Sequence, residues 1–297
     1  MANKSKDQTF GSEWSGSLGG TPMLIDPGNT TLKAVDEWWE PKDNAMIGTK
    51  RPGNTGRMVT KTDVSGTVGF FPSYAHANTL LQQIFDESTG TFTAMDAPED
   101  MDVGDIVLDK QVVVHTYADA VCKKLRLTGG ENEPLSWILD LLGKTESAAG
   151  SVAAFAPADC ILFSDVSFSL NSNAYFPVRM EFRFSYEFQE RFHNSVTRSS
   201  VMSQFDVCEL DLTFDINADT YADVAALAGT DTTIDDVVLT ITDGTSTITI
   251  TIPETTNMSP HVIPDPGGTD AIQDTITFKA WAETADADLV SIVYAAA

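Results

Sequence analysis

Hydrophobic and polar residues alternate along much of this chain. From Val178 to Phe188, the residues Val178, Met180, Phe182, Phe184, Tyr186 and Phe188 fall on one side, and Arg179, Glu181, Arg183, Ser185 and Glu187 on the other. Successive side chains of a strand point to opposite faces, so a period of two sustained this long predicts a strand with one face buried and the other toward water or a partner. Asp165–Leu170 alternates in the same way, Asn171–Asn173 supplies a turn, and the two runs are expected to form a hairpin. Val237–Thr242 and Ser246–Ile252 flank Asp243-Gly244, and Asp-Gly between β-branched runs predicts a tight turn with both central residues at positive φ. Asp105–Leu108 with Gln111–Thr116, and Ala120–Thr128 with Leu135–Leu141, give two further strand pairs.

Helical periodicity is scarce. Ser73–Phe85 places Leu80, Leu81, Ile84 and Phe85 on one helical face, with Ser73 as the capping residue. Asp219–Leu227 reads as a second short helix, opened by Asp219 and closed by Gly229. The order of elements recurs. Trp38-Trp39, a polar loop around Ile47–Arg51, the strand at Val68–Phe70 and the first helix are matched by Tyr186–Phe188, Ser195–Arg198, Leu212–Phe214 and the second helix. The offset is roughly half the chain, which predicts a duplicated α+β unit. The junction falls in the Gly/Ala/Ser-rich stretch Gly143–Ala158, so the expected boundaries are an arm at 1–22, a first unit at 23–150 and a second at 151–297. Gly16–Gly20, in that arm, reads as a flexible loop.

The 297 residues suffice for two ordinary domains, and no apolar run reaches the length of a membrane span. The polar N-terminus lacks a secretory pattern, so synthesis in a cytoplasm is the expectation. Cys122, Cys160 and Cys208 are widely spaced and read as reduced, mostly buried thiols. Charge is the strongest compositional signal: 43 acidic against 18 basic residues, net −25. From Ser199 to Ala297 there are 17 acidic residues and only Lys279 as a base, net −16. Such a surface does not hold DNA by neutralising phosphates.

No motif points to catalysis. His76, His115, His193 and His261 are dispersed, and there is no HExxH, GxSxG, Walker loop or dinucleotide-binding glycine motif. The acidic stretch Asp96–Asp105 misses the EF-hand spacing, since Gly104 stands where a ligand is needed. The sequons at Asn29 and Asn257 carry no meaning without secretion. No catalytic, cofactor-binding or metal-binding residue is therefore assigned, and no enzyme activity is expected.

Three segments carry a family resemblance. Thr67–Phe71 followed by the helix through Leu80-Leu81, the strand–turn–strand Cys122–Gly143, and Asp165–Asn173 resemble elements of the tail tube proteins of long-tailed bacteriophages, in the branch of roughly 300 residues. The resemblance covers about residues 20–290. It implies a mainly β, α+β chain of two tandem β-sandwich or barrel-like tube units, each with one short flanking helix and long inter-strand loops. It also implies a structural virion protein whose rings stack into the conduit for DNA ejection. The implied partners are other copies of the chain, a tape measure protein inside the tube, a tail terminator and a baseplate hub at its ends, and DNA in transit without specific binding. A duplicated unit would meet sixfold geometry with three chains per ring, and an acidic lumen would repel DNA. Arg179 and Arg183, on the polar face of the longest alternating run, oppose that charge argument unless Glu181 and Glu187 neutralise them. Two other readings compete. A baseplate hub or distal tail protein would stop at one ring and usually carries extra domains, whereas this chain ends soon after its last strand. A carbohydrate-binding or adhesin-like module would gather aromatics in a groove, whereas Trp14, Trp38, Trp39, Trp137 and Trp281 are scattered.

Overall fold

The computed structural model describes residues 14–39, 58–85, 91–93, 102–109, 113–148, 150, 160–170, 172–191, 195, 197, 200–215, 233–257, 273–281 and 289–296. Every strand pairing among them is antiparallel. The first half contains β1 (Trp14–Leu18), β2 (Thr21–Asp26), β3 (Lys33–Trp39), β4 (Met58–Phe71), the helix α1 (Tyr74–Phe85), β5 (Thr91–Thr93), β6 (Asp102–Asp109), β7 (Val114–Gly130), β8 (Ser136–Gly143) and β9 (Thr145–Ser147). The second contains β10 (Val166–Leu170), β11 (Asn173–Tyr175), β12 (Arg179–Arg191), β13 (Ser200–Asp215), β14 (Thr233–Thr242), β15 (Ser246–Asn257), β16 (Gln273–Ala280) and β17 (Ser291–Ala296). The fold is mainly β, as the alternation predicts.

In the first half β1, β2, β4, β8, β7 and β6 pair in a closed circuit, a small barrel. Closure removes edges that would otherwise expose unpaired N–H and C=O groups. The long β7 makes this possible by serving two walls. Its first part pairs with β6 and β9, and its last part with β8 and β12. Asp119 sits between them at φ 48°, and the register shifts between Cys122 and Lys124. A bulge of this kind bends a strand and raises its twist. The barrel is filled by Leu18, Ile25, Val68, Phe70, Leu125, Trp137 and Leu139. On its flank α1 buries Leu80, Leu81, Ile84 and Phe85, the apolar face expected for it, and Phe85 meets Phe184 of β12 with ring centroids 5.9 Å apart. At the start of α1 the Ser73 carbonyl accepts from the N–H groups of His76 and Ala77. The buried Ser73 hydroxyl has no hydrogen-bond partner among the described residues, so the side-chain cap expected of it is not formed.

The pairings of the first half return in the second. β3–β4, β4–β8, β6–β7, β7–β8, β7–β9, β1–β6 and β1–β2 correspond to β12–β13, β13–β16, β14–β15, β15–β16, β15–β17, β10–β14 and β10–β11. A bulge even falls at the same place, between Glu37 and Trp38 in β3 and between Tyr186 and Phe188 in β12. On β12 the core face holds Met180, Phe182 and Phe184, all buried. Burial of each stabilises the fold by about 1.5–3 kcal/mol.

Three expectations are corrected. The run Asp165–Leu170 does not pair with the strand at Val178–Phe188: β10 turns into the short β11 and pairs on its other side with β14, while β12 lies between β13 and β7. Gly16–Gly20 is not a flexible loop. Gly16–Leu18 belong to β1, where a Cβ on Gly16 would come within 2.8 Å of Ile25, and Gly19-Gly20 form the turn into β2. In the β14–β15 turn Gly244 has φ 84° while Asp243 does not have positive φ. The Asp243 carboxylate instead accepts the N–H groups of Thr245 (2.7 Å) and Ser246 (2.6 Å). The expected helix at Asp219–Leu227 lies outside the described residues.

Candidate assembly interface

β7 and β12 form the longer seam between the two halves, and β5 with β17 a shorter one. Arg179 lies opposite Gly130, Phe182 opposite Leu127 and Ser185 opposite Lys124. The seam makes one continuous sheet of β3, β4, β8, β7, β12, β13 and β16. One face of that sheet is the apolar core. The other is polar and carries Lys124, Arg126, Arg179, Arg183 and Lys279 together with Asp140, Glu181, Glu209, Asp211 and Asp215. The two signs are interleaved by register. Arg183 Nη2 lies 2.6 Å from Asp211 Oδ2 and 3.4 Å from Glu209 Oε2, and Arg126 Nη1 lies 3.7 Å from Glu181 Oε1. Lys124 stands opposite Asp140, and Lys279 opposite Glu209. Partial burial raises the pKa of Asp140, an effect opposed by Lys123 and Lys124. The neutralisation of Arg183 thus comes from β13, beside it, while Glu181 of its own strand lies against Arg126 of β7.

Two strands have pairing left over. Among the described residues β3 pairs with β4 alone, whereas its counterpart β12 pairs with both β13 and β7. β15 pairs with β14, β16 and β17, but among the described residues it has no pairing that matches β7–β12. At the start of β3, side chains stand in for a strand. The Ala34 N–H donates to Glu146 Oε2 (2.8 Å) and Tyr117 Oη donates to the Leu32 carbonyl (3.0 Å). Beyond them Val35 is exposed. An edge of this kind is a template for another strand.

Among the described residues, those weighed for chemistry form no group that could hold a metal ion. Cys122 and Cys208 are buried as free thiols, and burial pushes the Cys122 thiol up to about 12 and raises Cys208 as well. Cys160 is partly exposed. His115 Nδ1 lies 2.7 Å from Glu146 Oε1. Of the acidic stretch Asp96–Asp105, only Asp102 onward is described, as the start of β6. Trp137 is wholly buried against Phe70, in edge contact at 5.9 Å. Of the two polar loops, the one around Ser195–Arg198 is short, since paired strand extends through Arg191 and resumes at Ser200. The one around Ile47–Arg51 lies outside the described residues, between β3 and β4.

The family model for the phage tail tube protein matches residues 47–280, most of the chain. The chain belongs to that family. No curated protein matches it. As a tail tube protein it is a structural component of the virion tail, of a family that is in general not enzymatic. In a tail tube protein the surfaces to read for function are open ones, and among the described residues these are the unmatched edges of β3 and β15 and the two ends of the central sheet. The exposed Phe176, between β11 and β12, was not singled out by the sequence, because Tyr-Phe-Pro after a short strand carries no periodic signal.

Proposed function

We propose that the chain forms rings of three copies which stack into the conduit for DNA ejection, and that residues 23–150 and 151–297 are two copies of one tube unit. The observation that carries this reading is the recurrence of the pairing pattern with one seam used inside the chain and its counterpart left open. β12 of the second unit pairs with β7 of the first. The matching pair, β3 with β15, would join one chain to the next. Three chains then supply six equivalent seams and close the sheet into a continuous barrel, with no edges left. The polar face of the central sheet becomes the lumen wall, past which DNA moves, with a tape measure protein inside before ejection. A terminator and a baseplate hub would take the open ends.

Native mass measurement of an isolated ring tests the stoichiometry. Three times 32.1 kDa is expected. Six chains per ring would overturn the duplicated-unit reading and leave the tube intact.

A further inference from the structure

Among the described residues the two halves also differ where β2 meets β4, and in the second half that place is a socket. In the first half β2 pairs with β4 through Leu24–Asp26 and Gly69–Phe71, and the Thr31 and Leu32 N–H groups donate to the Thr67 carbonyl, so the barrel is shut. In the second half no pairing joins β11 to β13 among the described residues. Tyr175 rests on Phe214, with ring centroids 6.3 Å apart, and a cavity of about 360 Å³ opens beside it. Phe163, Phe168, Tyr175 and Pro177 give it apolar walls, and Glu131 and Asn132 form its rim. Phe176 stands over it 86% exposed, the most exposed of the large hydrophobic residues described. An adjoining polar hollow of about 460 Å³ shares Glu131 and adds Glu133 and Arg179. A large aromatic held in water beside an apolar hollow is an unfavourable arrangement in an isolated subunit and marks a contact surface.

The position of the socket limits what can fill it. It lies at the end of the central sheet where β7 turns into β8 and β12 begins. β12 runs from Arg179 to Arg191, about 40 Å at the rise of a strand, to the opposite end. There both of the longer hairpins emerge: β12–β13 with Arg191 opposite Ser200, and β3–β4 with Trp39 opposite Met58. Their connections are basic in a chain of net charge −25. Residues 40–57 contain Lys42, Lys50, Arg51 and Arg57 against Glu40 and Asp43, and residues 192–199 contain Arg198 and no acid. The socket rim presents Glu131 and Glu133 against one base, Arg179.

Resting on the ring reading above, we propose that this socket receives the basic hairpin end of a second copy of the chain in the next ring, with Phe176 as the apolar anchor. The contact is heterologous, one end against the other. Repeated without closure, such a contact builds a filament of fixed polarity. The first unit is shut where the second is open, so each chain offers one socket rather than two, and a ring of three chains offers three.

Electron microscopy of purified Phe176→Asp, Phe176→Leu and wild-type chains tests the proposal. F176D is expected to keep the wild-type thermal midpoint, because its side chain is exposed, and to keep the ring mass, while tube number falls at least tenfold. F176L should retain tubes. Reversing the rim with E131K/E133K should shorten tubes, and adding K50E/R51E should restore them. Wild-type tubes together with undiminished F176D tubes, or no rescue by the charge exchange, would overturn the socket alone. A wild-type chain that forms neither rings nor tubes would overturn the ring reading and this one with it.

Discussion

Arg183 should be worth more to this protein than an ordinary surface arginine. Its guanidinium reaches Asp211 at 2.6 Å and Glu209 at 3.4 Å, and the three side chains are only 27%, 20% and 33% exposed. At an effective dielectric of about 20, opposite charges about 4 Å apart attract by about 4 kcal/mol before desolvation is counted. Desolvation removes much of this, leaving about 1.5–3 kcal/mol for a charge-assisted bond. Replacement of Arg183 by Gln also leaves Glu209 and Asp211 facing each other two residues apart on one face of β13, about 6.6 Å along the strand. Their repulsion adds about 1 kcal/mol once solvent screening is allowed for. R183Q is therefore expected to lose about 2–4 kcal/mol of unfolding free energy. D211N should lose less, because Glu209 remains to hold the guanidinium. Urea unfolding of wild type, both single variants and R183Q/D211N closes a double-mutant cycle, with an expected coupling of about 1–2 kcal/mol. A coupling within about 0.3 kcal/mol of zero would refute the claim that these charges are locked together, and the polar face would then be a set of independent solvated groups.

Gly66 has φ 146°, and a Cβ there would stand 2.8 Å from the Leu32 backbone, where the chain donates its N–H groups to Thr67. Gly66→Ala should cost about 2 kcal/mol or more in unfolding experiments, whereas Gly244→Ala, with positive φ but open space around it, should cost about 1–2 kcal/mol. Asp243 has its pKa lowered by the backbone N–H groups it accepts, so its contribution is present above the ordinary 3.8 and is lost as pH falls through the folded value. D243A should therefore melt below wild type at pH 7, and the gap should narrow in strongly acidic solution. An unchanged gap would deny that the ionised carboxylate holds the turn.

The elements legible in the sequence were those whose pattern is local. β12 could be read because Met180, Phe182 and Phe184 alternate with Glu181 and Arg183 without interruption, and α1 because its apolar residues fall on one helical face. Errors arose where the outcome depends on distant residues. β10 has a turn after it and a strand beyond, but its second partner is β14, some 70 residues onward, and nothing in Val166–Leu170 encodes that choice. Val114–Gly130 reads as two strands because Asp119 breaks the alternation. The structure keeps one strand and uses that residue to pass from one wall of the barrel to the other. Gly16 looks like a loop residue, yet it is a strand position where Ile25 and Leu108 leave no room for a side chain. The assembly surface was legible only as a polar face. Which charges meet across it depends on the register between β7, β12 and β13, which the sequence does not print.

That register changes the physical account of DNA passage. An acidic excess of −25 suggests a lumen that repels phosphate. On the proposed assembly, however, the wall strands carry bases among their acids, interleaved and in part bonded, as with Arg183 between Asp211 and Glu209 and Arg126 beside Glu181. Charges elsewhere on the subunit act weakly through solvent, since screening sets in over about 8 Å at physiological salt. What keeps DNA from adhering is then pairing rather than net charge. A phosphate binds where it can release counter-ions by meeting an available cation. A guanidinium already bonded to a carboxylate offers little such gain, because the bond must first be broken. The acids of the wall on this view serve to occupy its bases. It follows that removing acids singly should matter more than the total charge implies. D211N/E209Q, which frees Arg183 while removing only two negative charges, should make assembled tubes retain DNA at low salt and release it as salt rises. Wild-type tubes, and R183Q/D211N/E209Q tubes in which the freed base is also removed, should retain none. Equal retention by all three would show that the paired charges of this face have no part in passage.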